Sequence, residues 1–201
     1  MANIKVKQEI GGDQVYAKGI EGGEQVSADI TRVWTAKGYG WKVMATSAVA
    51  SLIVRPTVTA IATFYNNTAK NFVIETVFTH NLVSIANGNF SIWVCIHPTG
   101  MTAPTNDITV RSSTIGLAAG TEGIFDAGAT VVDNGWFPVG MWGTTVTATM
   151  PGTSVEAEIK GRLIVPPTAA ISLSAVAQTA VVTQCMGIHY FSVPTTEFKL
   201  G

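Results

Sequence analysis

The chain has 201 residues and a net charge of -1, and it is 47% apolar but only 12% charged. That length suits one all-β domain, or a domain with an arm, and the weak charge excludes a global field that would attract nucleic acid or a membrane surface. Charged residues stand at about half their usual share, so some apolar surface is expected to be buried against other chains.

Residues 1–40 read as a region apart. They hold five of the twelve Lys and Arg (Lys5, Lys7, Lys18, Arg32 and Lys37) and the glycine pairs Gly11-Gly12 and Gly22-Gly23. Pieces such as Ile4, Val6 and Gln8 alternate without building a sustained strand. The segment therefore reads as an N-terminal arm or a set of edge pieces, with a partly disordered tail as the alternative. Glycine loses much entropy on ordering, so such an arm is fixed only against a partner or its own domain. Residues 1–14 show no apolar signal core, and no apolar run is long enough to span a membrane.

Residues 41–201 read as one domain. In 42–54, KVMATSAVASLIV, alanine admits a helix, but the β-branched residues favour a strand. Arg55-Pro56 breaks it, and 58–65 form a second strand. Residues 66–71, NNTAKN, are turn formers, and 72–80 a third strand. Asn87-Gly88-Asn89 is the strongest hairpin signal in the chain. The apolar run 90–96, FSIWVCI, follows and ends at His97-Pro98. Between 99 and 151 the pattern weakens, with strands expected at 107–115, 129–132 and 144–150. There, GWFPVGMW places Trp136, Phe137, Met141 and Trp142 in a glycine-rich loop, to plug a barrel end or anchor a subunit contact.

The clearest stretch is 154–193. Val155, Ala157, Ile159, Gly161, Leu163 and Val165 alternate with a largely charged row, Glu156, Glu158, Lys160, Arg162 and Ile164. Pro166-Pro167 ends that strand. A second begins at 169–173, and a third spans 181–193. In the third, Val182, Met186, Ile188 and Tyr190 face one way; Val181, Cys185, His189, Phe191 and Val193 face the other. A strand apolar on both faces requires a further layer, either another sheet or another subunit. The sum is all-β: an antiparallel β-sandwich of about eight to ten strands, with the irregular middle favouring a jelly roll over an up-and-down barrel.

Two stretches resemble bacteriophage structural proteins. In 162–173, RLIVPPTAAISL, a strand ends in a proline turn and a short strand of small and apolar residues follows. In 60–77, AIATFYNNTAKNFVIETV, an Asn-rich turn separates a light strand from an apolar one. The resemblance covers about half the chain and is one of texture. It implies a single jelly-roll virion protein of the capsid cement or decoration type, often a homotrimer bound to the major capsid protein. It carries over no catalytic or metal residues.

Motifs for chemistry are sparse. Cys95 and His97 share a strand face, as do Cys185 and His189, and a zinc site follows only if the two strands are neighbours. Elsewhere the cysteines read as free buried thiols. No Gly-x-Ser-x-Gly elbow is present. Glu156 and Glu158 sit about 7 Å apart on one face, but Lys160 and Arg162 continue the row as a solvated ion-pair surface. Asp126, Asp133 and Asn134 are candidate calcium donors without the dense carboxylate pattern of a calcium loop. No glycine pair begins a phosphate loop. Asn66 and Asn89 open glycosylation triplets that read as chance matches.

Trp34, Tyr39, Trp41, Trp136, Phe137, Met141 and Trp142 are the candidate interface residues. The function expected is non-enzymatic: a virion-located shell subunit that self-associates and needs no cofactor, nucleic acid or membrane. Its rivals are a glycan- or receptor-binding jelly roll using the tryptophan loops, and a sandwich-fold enzyme.

Overall fold

The structure is a computed structural model that describes residues 29–45, 49–83, 89–144, 154–178, 182–198 and 200. In chain order the elements are α1 (Ile30–Ala36), β1 (Gly40–Met44), β2 (Val49–Ala50), β3 (Ala62–Tyr65), β4 (Asn71–Val83), β5 (Asn89–His97), β6 (Arg111–Ser112), β7 (Ile124–Ala127), β8 (Trp136–Thr144), β9 (Ser154–Val165), β10 (Ala170–Ala177) and β11 (Thr183–Val193). Sheet 1 runs β6-β1-β11-β4-β9, with β2 also on β11; sheet 2 runs β7-β3-β10-β5-β8.

With the short β2, β6 and β7 set aside, eight strands remain, and first pairs with last throughout. β1 pairs β11, β3 pairs β10, β4 pairs β9 and β5 pairs β8, all antiparallel. This is one long hairpin rolled into a two-sheet sandwich, the jelly-roll arrangement. The all-β sandwich read from the sequence is the observed fold.

Alternation drives the strands where it is clean. On β9, Val155, Ala157 and Ile159 are buried while Glu156, Glu158 and Lys160 are exposed. The strand then bulges at Lys160 and Gly161, both at positive φ, and Arg162 donates to the carbonyls of Glu158 and Ile159. A bulge of this kind blunts an edge strand against pairing with another chain. Between the sheets, Phe64, Phe72 and Tyr190 pack with ring centroids 4.6–5.4 Å apart. Cross-sheet aromatic packing of this kind is the centre of the core.

Several boundaries differ from the sequence reading, each for a physical reason. The strands either side of Asn87-Gly88 lie in opposite sheets, so they do not form a hairpin ladder; residues 84–88 lie outside the described residues. The same holds across Pro166-Pro167, since β9 and β10 belong to different sheets. The supposed loop at 136–142 is part of strand β8. Pro138 and two glycines disguise it, and β8 is an edge strand, where proline is tolerated. The strand expected at 107–115 shrinks to Arg111–Ser112, and the next one forms at Ile124–Ala127 instead of 129–132. The one expected at 42–54 divides into β1 and β2, with residues 46–48 outside the described residues, as are 145–150.

Of the expected arm, residues 1–28 lie outside the described residues. The remainder contains α1, which alternation could not reveal. Asp29 caps its start by accepting from the Thr31 amide at 2.9 Å. Its end is a glycine motif: Gly38, at φ 79, donates to Thr35, and Tyr39 donates to Trp34. The outer face of β11 supplies the reason for the helix. Trp34 of α1 and Phe198 of the C-terminal segment cover Val73, Phe191 and Val193. The further layer demanded by the two-faced strand is therefore, at this end, the chain itself.

Candidate interaction surfaces

Sheet 2 buries much of its outer face beneath two segments of its own chain, 51–60 and 128–135. They are tied to each other by Ala60 donating to Ala129 and Val131 donating to Val58. Ala60, Cys95, Val131 and Trp136 form a small second core there. The Trp136 indole donates to the Thr57 carbonyl at 2.8 Å, and Arg55 grips the Asp133 carboxylate at 2.7 and 3.1 Å. The Arg55 guanidinium holds Asp133 below the usual carboxylate range.

Under this strap lies a buried polar chain that sequence reasoning missed. Asn134 Nδ2 lies 2.9 Å from His97 Nδ1, His97 Nε2 lies 2.7 Å from Ser172 Oγ, and Ser172 Oγ lies 2.8 Å from Thr63 Oγ1. With the amide donating to Nδ1, the imidazole is neutral and carries its proton on Nε2. It then donates to Ser172, whose hydroxyl shares a further hydrogen bond with Thr63. Ser172 is fully buried, which closes its hydroxyl to a substrate. The set is a buried hydrogen-bond network in which each member has a partner. Burial pushes the His97 pKa down, which agrees with the neutral ring. The available signal was polar residues, Thr63, Ser172 and Ser174, at alternate positions of strands otherwise apolar.

The proposed chemistry separates in space. Cys95 and His97 lie on β5 in sheet 2, whereas Cys185 and His189 lie on β11 in sheet 1. The four cannot share a zinc ion. Both cysteines are free and buried. Asp126 does not join Asp133; it lies beside Asp107, and burial followed by that carboxylate raises its pKa. Among the described residues no three His, Cys, Asp or Glu side chains are placed to hold a metal. Glu156 and Glu158 are exposed, and Glu158 pairs with Lys160 at 2.6 Å. Asn66 is buried and donates to the Lys70 and Val165 carbonyls, so it has no surface to offer a glycan.

The candidate aromatic residues scatter. Trp34 packs on Phe191 at 5.4 Å. Tyr39 donates to Glu197 at 2.8 Å, beside the Lys37–Glu197 ion pair. Trp41 packs against the core. Trp136 is buried under the strap, and neighbouring Phe137 is 37% exposed. Met141 and Trp142 lie on β8, but their side chains fall outside the described residues.

Two open surfaces stand out among the described residues. One is a ridge on the strap, where Ile53, Val54, Val58 and Val132 are 49–69% exposed. The other is a groove of about 520 Å³ on the outer face of sheet 1, lined by Lys42, Met44, Phe78, Arg111 and His189 among others. No helix of the described residues is long and apolar enough to cross a membrane. No protein-family model matches the chain, and neither does any curated protein.

Proposed function

We propose that this chain is a non-enzymatic, self-associating jelly-roll subunit of a virus shell, acting as a capsid cement or decoration protein. It works by association, with homotrimeric copies bound to the major capsid protein in the virion. The viral part rests on the textural resemblance of 60–77 and 162–173 to bacteriophage structural proteins, together with the jelly-roll fold.

The observation that carries association is the aliphatic ridge. Four branched side chains on two hydrogen-bonded segments are held toward solvent by a strap whose other side is tightly anchored. Grouped aliphatic surface on a braced support is the composition of an interface. Sedimentation velocity at micromolar concentration tests it, comparing the natural chain with Val54→Asp/Val132→Asp. A discrete oligomer that the double variant reduces to a folded monomer supports the proposal. A natural chain that sediments as a monomer removes the self-association. Density for the chain in an intact particle decides its place in a shell. The glycan-binding alternative gains nothing from Trp136, whose ring is buried and whose indole is committed to Thr57.

A further inference from the structure

The groove on sheet 1 is built from two parallel rows. Register places Arg111 of β6, Lys42 of β1 and His189 of β11 in one cross-strand row. Two residues along, Met44 of β1, Gly187 of β11 and Phe78 of β4 make a second row. Neighbouring strands lie about 4.8 Å apart, and two residues of strand span about 7 Å. The face is therefore a basic line and an apolar line separated by about the width of an extended chain.

Both rows are open for use. Lys42, Met44 and Arg111 are exposed, because their neighbours Val43 and Val110 turn into the core. The Phe78 ring contacts His189 at 5.0 Å, and it lies across Gly187, where an added Cβ would stand 2.4 Å from Phe78 Cζ. Glycine thus leaves the space that the ring occupies over β11. Neither Lys42 nor Arg111 has an ion pair among the described residues. Two carboxylates border the groove: Asp107, which accepts from the Ala127 amide at 3.0 Å, and Glu156 of β9, which lies beside Phe78 and His189. Glu156 pairs in register with Phe78 and so ends the apolar row, while Arg111 and Lys42 lie at the opposite side of the groove.

We propose that this groove docks an extended acidic segment of a partner protein, one in which carboxylates alternate with aliphatic side chains. Successive side chains of an extended segment point to opposite sides. Carboxylates on one side meet Arg111, Lys42 and the edge of His189. Aliphatic groups on the other meet Met44 and Phe78. Arg111 supplies a fork for a carboxylate, and Lys42 a point charge beside it. The site is separate from the aliphatic ridge, which lies on the opposite sheet, so each stands or falls alone.

The test is fluorescence anisotropy with a labelled ten-residue peptide of alternating glutamate and leucine, against a peptide of alternating lysine and leucine. The natural chain should bind the acidic peptide and not the basic one, with affinity falling as salt rises. Lys42→Glu/Arg111→Glu should weaken binding about tenfold or more while the unfolding midpoint stays close to natural, since both side chains are exposed. Met44→Gln should weaken binding without altering its salt dependence. No binding by the natural chain, equal binding of the basic peptide, or an undiminished double variant would each overturn the proposal. So would sedimentation showing that the double variant breaks up a dimer of the natural chain, since the groove would then hold a second copy.

Discussion

Sheet 2 conceals much of its outer face under its own chain, whereas sheet 1 covers one end of its outer face and leaves the other open. The two solutions use different materials. Over sheet 2, two chain segments lie along the strands and bury a polar chain, a cysteine and a tryptophan. Over sheet 1, a seven-residue helix presses Trp34 onto Phe191, and Phe198 of the C-terminal segment stands edge-on to Trp34. The lesson concerns apolar excess. A strand greasy on both faces does not by itself call for a second subunit, because a jelly roll with long connections can supply the missing layer internally. What remains exposed after that internal cover is the informative surface.

The comparison predicts unequal costs for removing the two tryptophans. Trp136→Ala opens a cavity in a nearly closed site and frees the Thr57 carbonyl from its donor, so a loss of about 3–5 kcal/mol is expected. Trp34→Ala removes a half-buried ring at the edge of the domain, and about 1–3 kcal/mol is expected. Denaturant unfolding of both variants measures the difference. Equal losses would show that α1 is as integral to the fold as the strap.

Gly187→Ala probes the open end. The new methyl would sit 2.5 Å from the Val43 carbonyl oxygen as well as 2.4 Å from Phe78. Phe78 can swing outward, but the backbone of β1 cannot easily yield. Overpacking of about 1–3 kcal/mol is expected, read in the same unfolding experiment. A neutral result would mean that β1 separates readily from β11.

How much of this was legible depended on how directly a residue's environment follows from its neighbours in sequence. The β9 row and the two faces of β11 could be read because alternation states burial when one face meets the core. β8 could not, since Pro138 and its glycines break the pattern while an edge position tolerates them. The sheet assignment of β4 and β5 was also hidden. Asn87-Gly88 marks a reversal of direction but carries no information on whether the chain returns to the same sheet. The His97 network was illegible for a different reason. Its members come from β3, β5, β10 and the strap, and only long-range pairing brings them together. The groove was half legible: Lys42 and His189 could be placed on strand faces, but their alignment with Arg111 required the register.

The polar chain under the strap should make stability depend on pH. Burial lowers the folded-state pKa of His97 below its ordinary value of 6.5. As pH falls through that value, the unfolded chain takes up a proton that the folded chain resists, so stability declines. Above it both states are neutral and the dependence disappears. His97→Gln should flatten this slope relative to the natural chain. His189 contributes in the same direction, since burial lowers it too, although nearby Glu156 offsets part of that effect. Unfolding midpoints at a series of pH values from neutral downward measure both. A natural chain whose stability is level across this window would mean that His97 accepts a proton without loosening the strap.

The smallest effect is expected at the clasp beside α1. Glu197 accepts from Lys37 at 2.7 Å and from Tyr39 at 2.8 Å, and these bonds hold its carboxyl below the usual range. Both charged partners remain substantially exposed, so water screens the pair and little stability is at stake. Glu197→Gln keeps the shape and removes the charge; it should cost under about 1 kcal/mol, and the cost should vanish as acid protonates the natural carboxylate. Hydrogen exchange at the α1 amides is the sensitive readout. Faster exchange in α1 alone, with the strand amides unchanged, would show that the clasp restrains the helix and not the sandwich. Faster exchange through β11 as well would mean that the aromatic cover cannot hold without its ionic fastening, and that the two ends of sheet 1 are coupled.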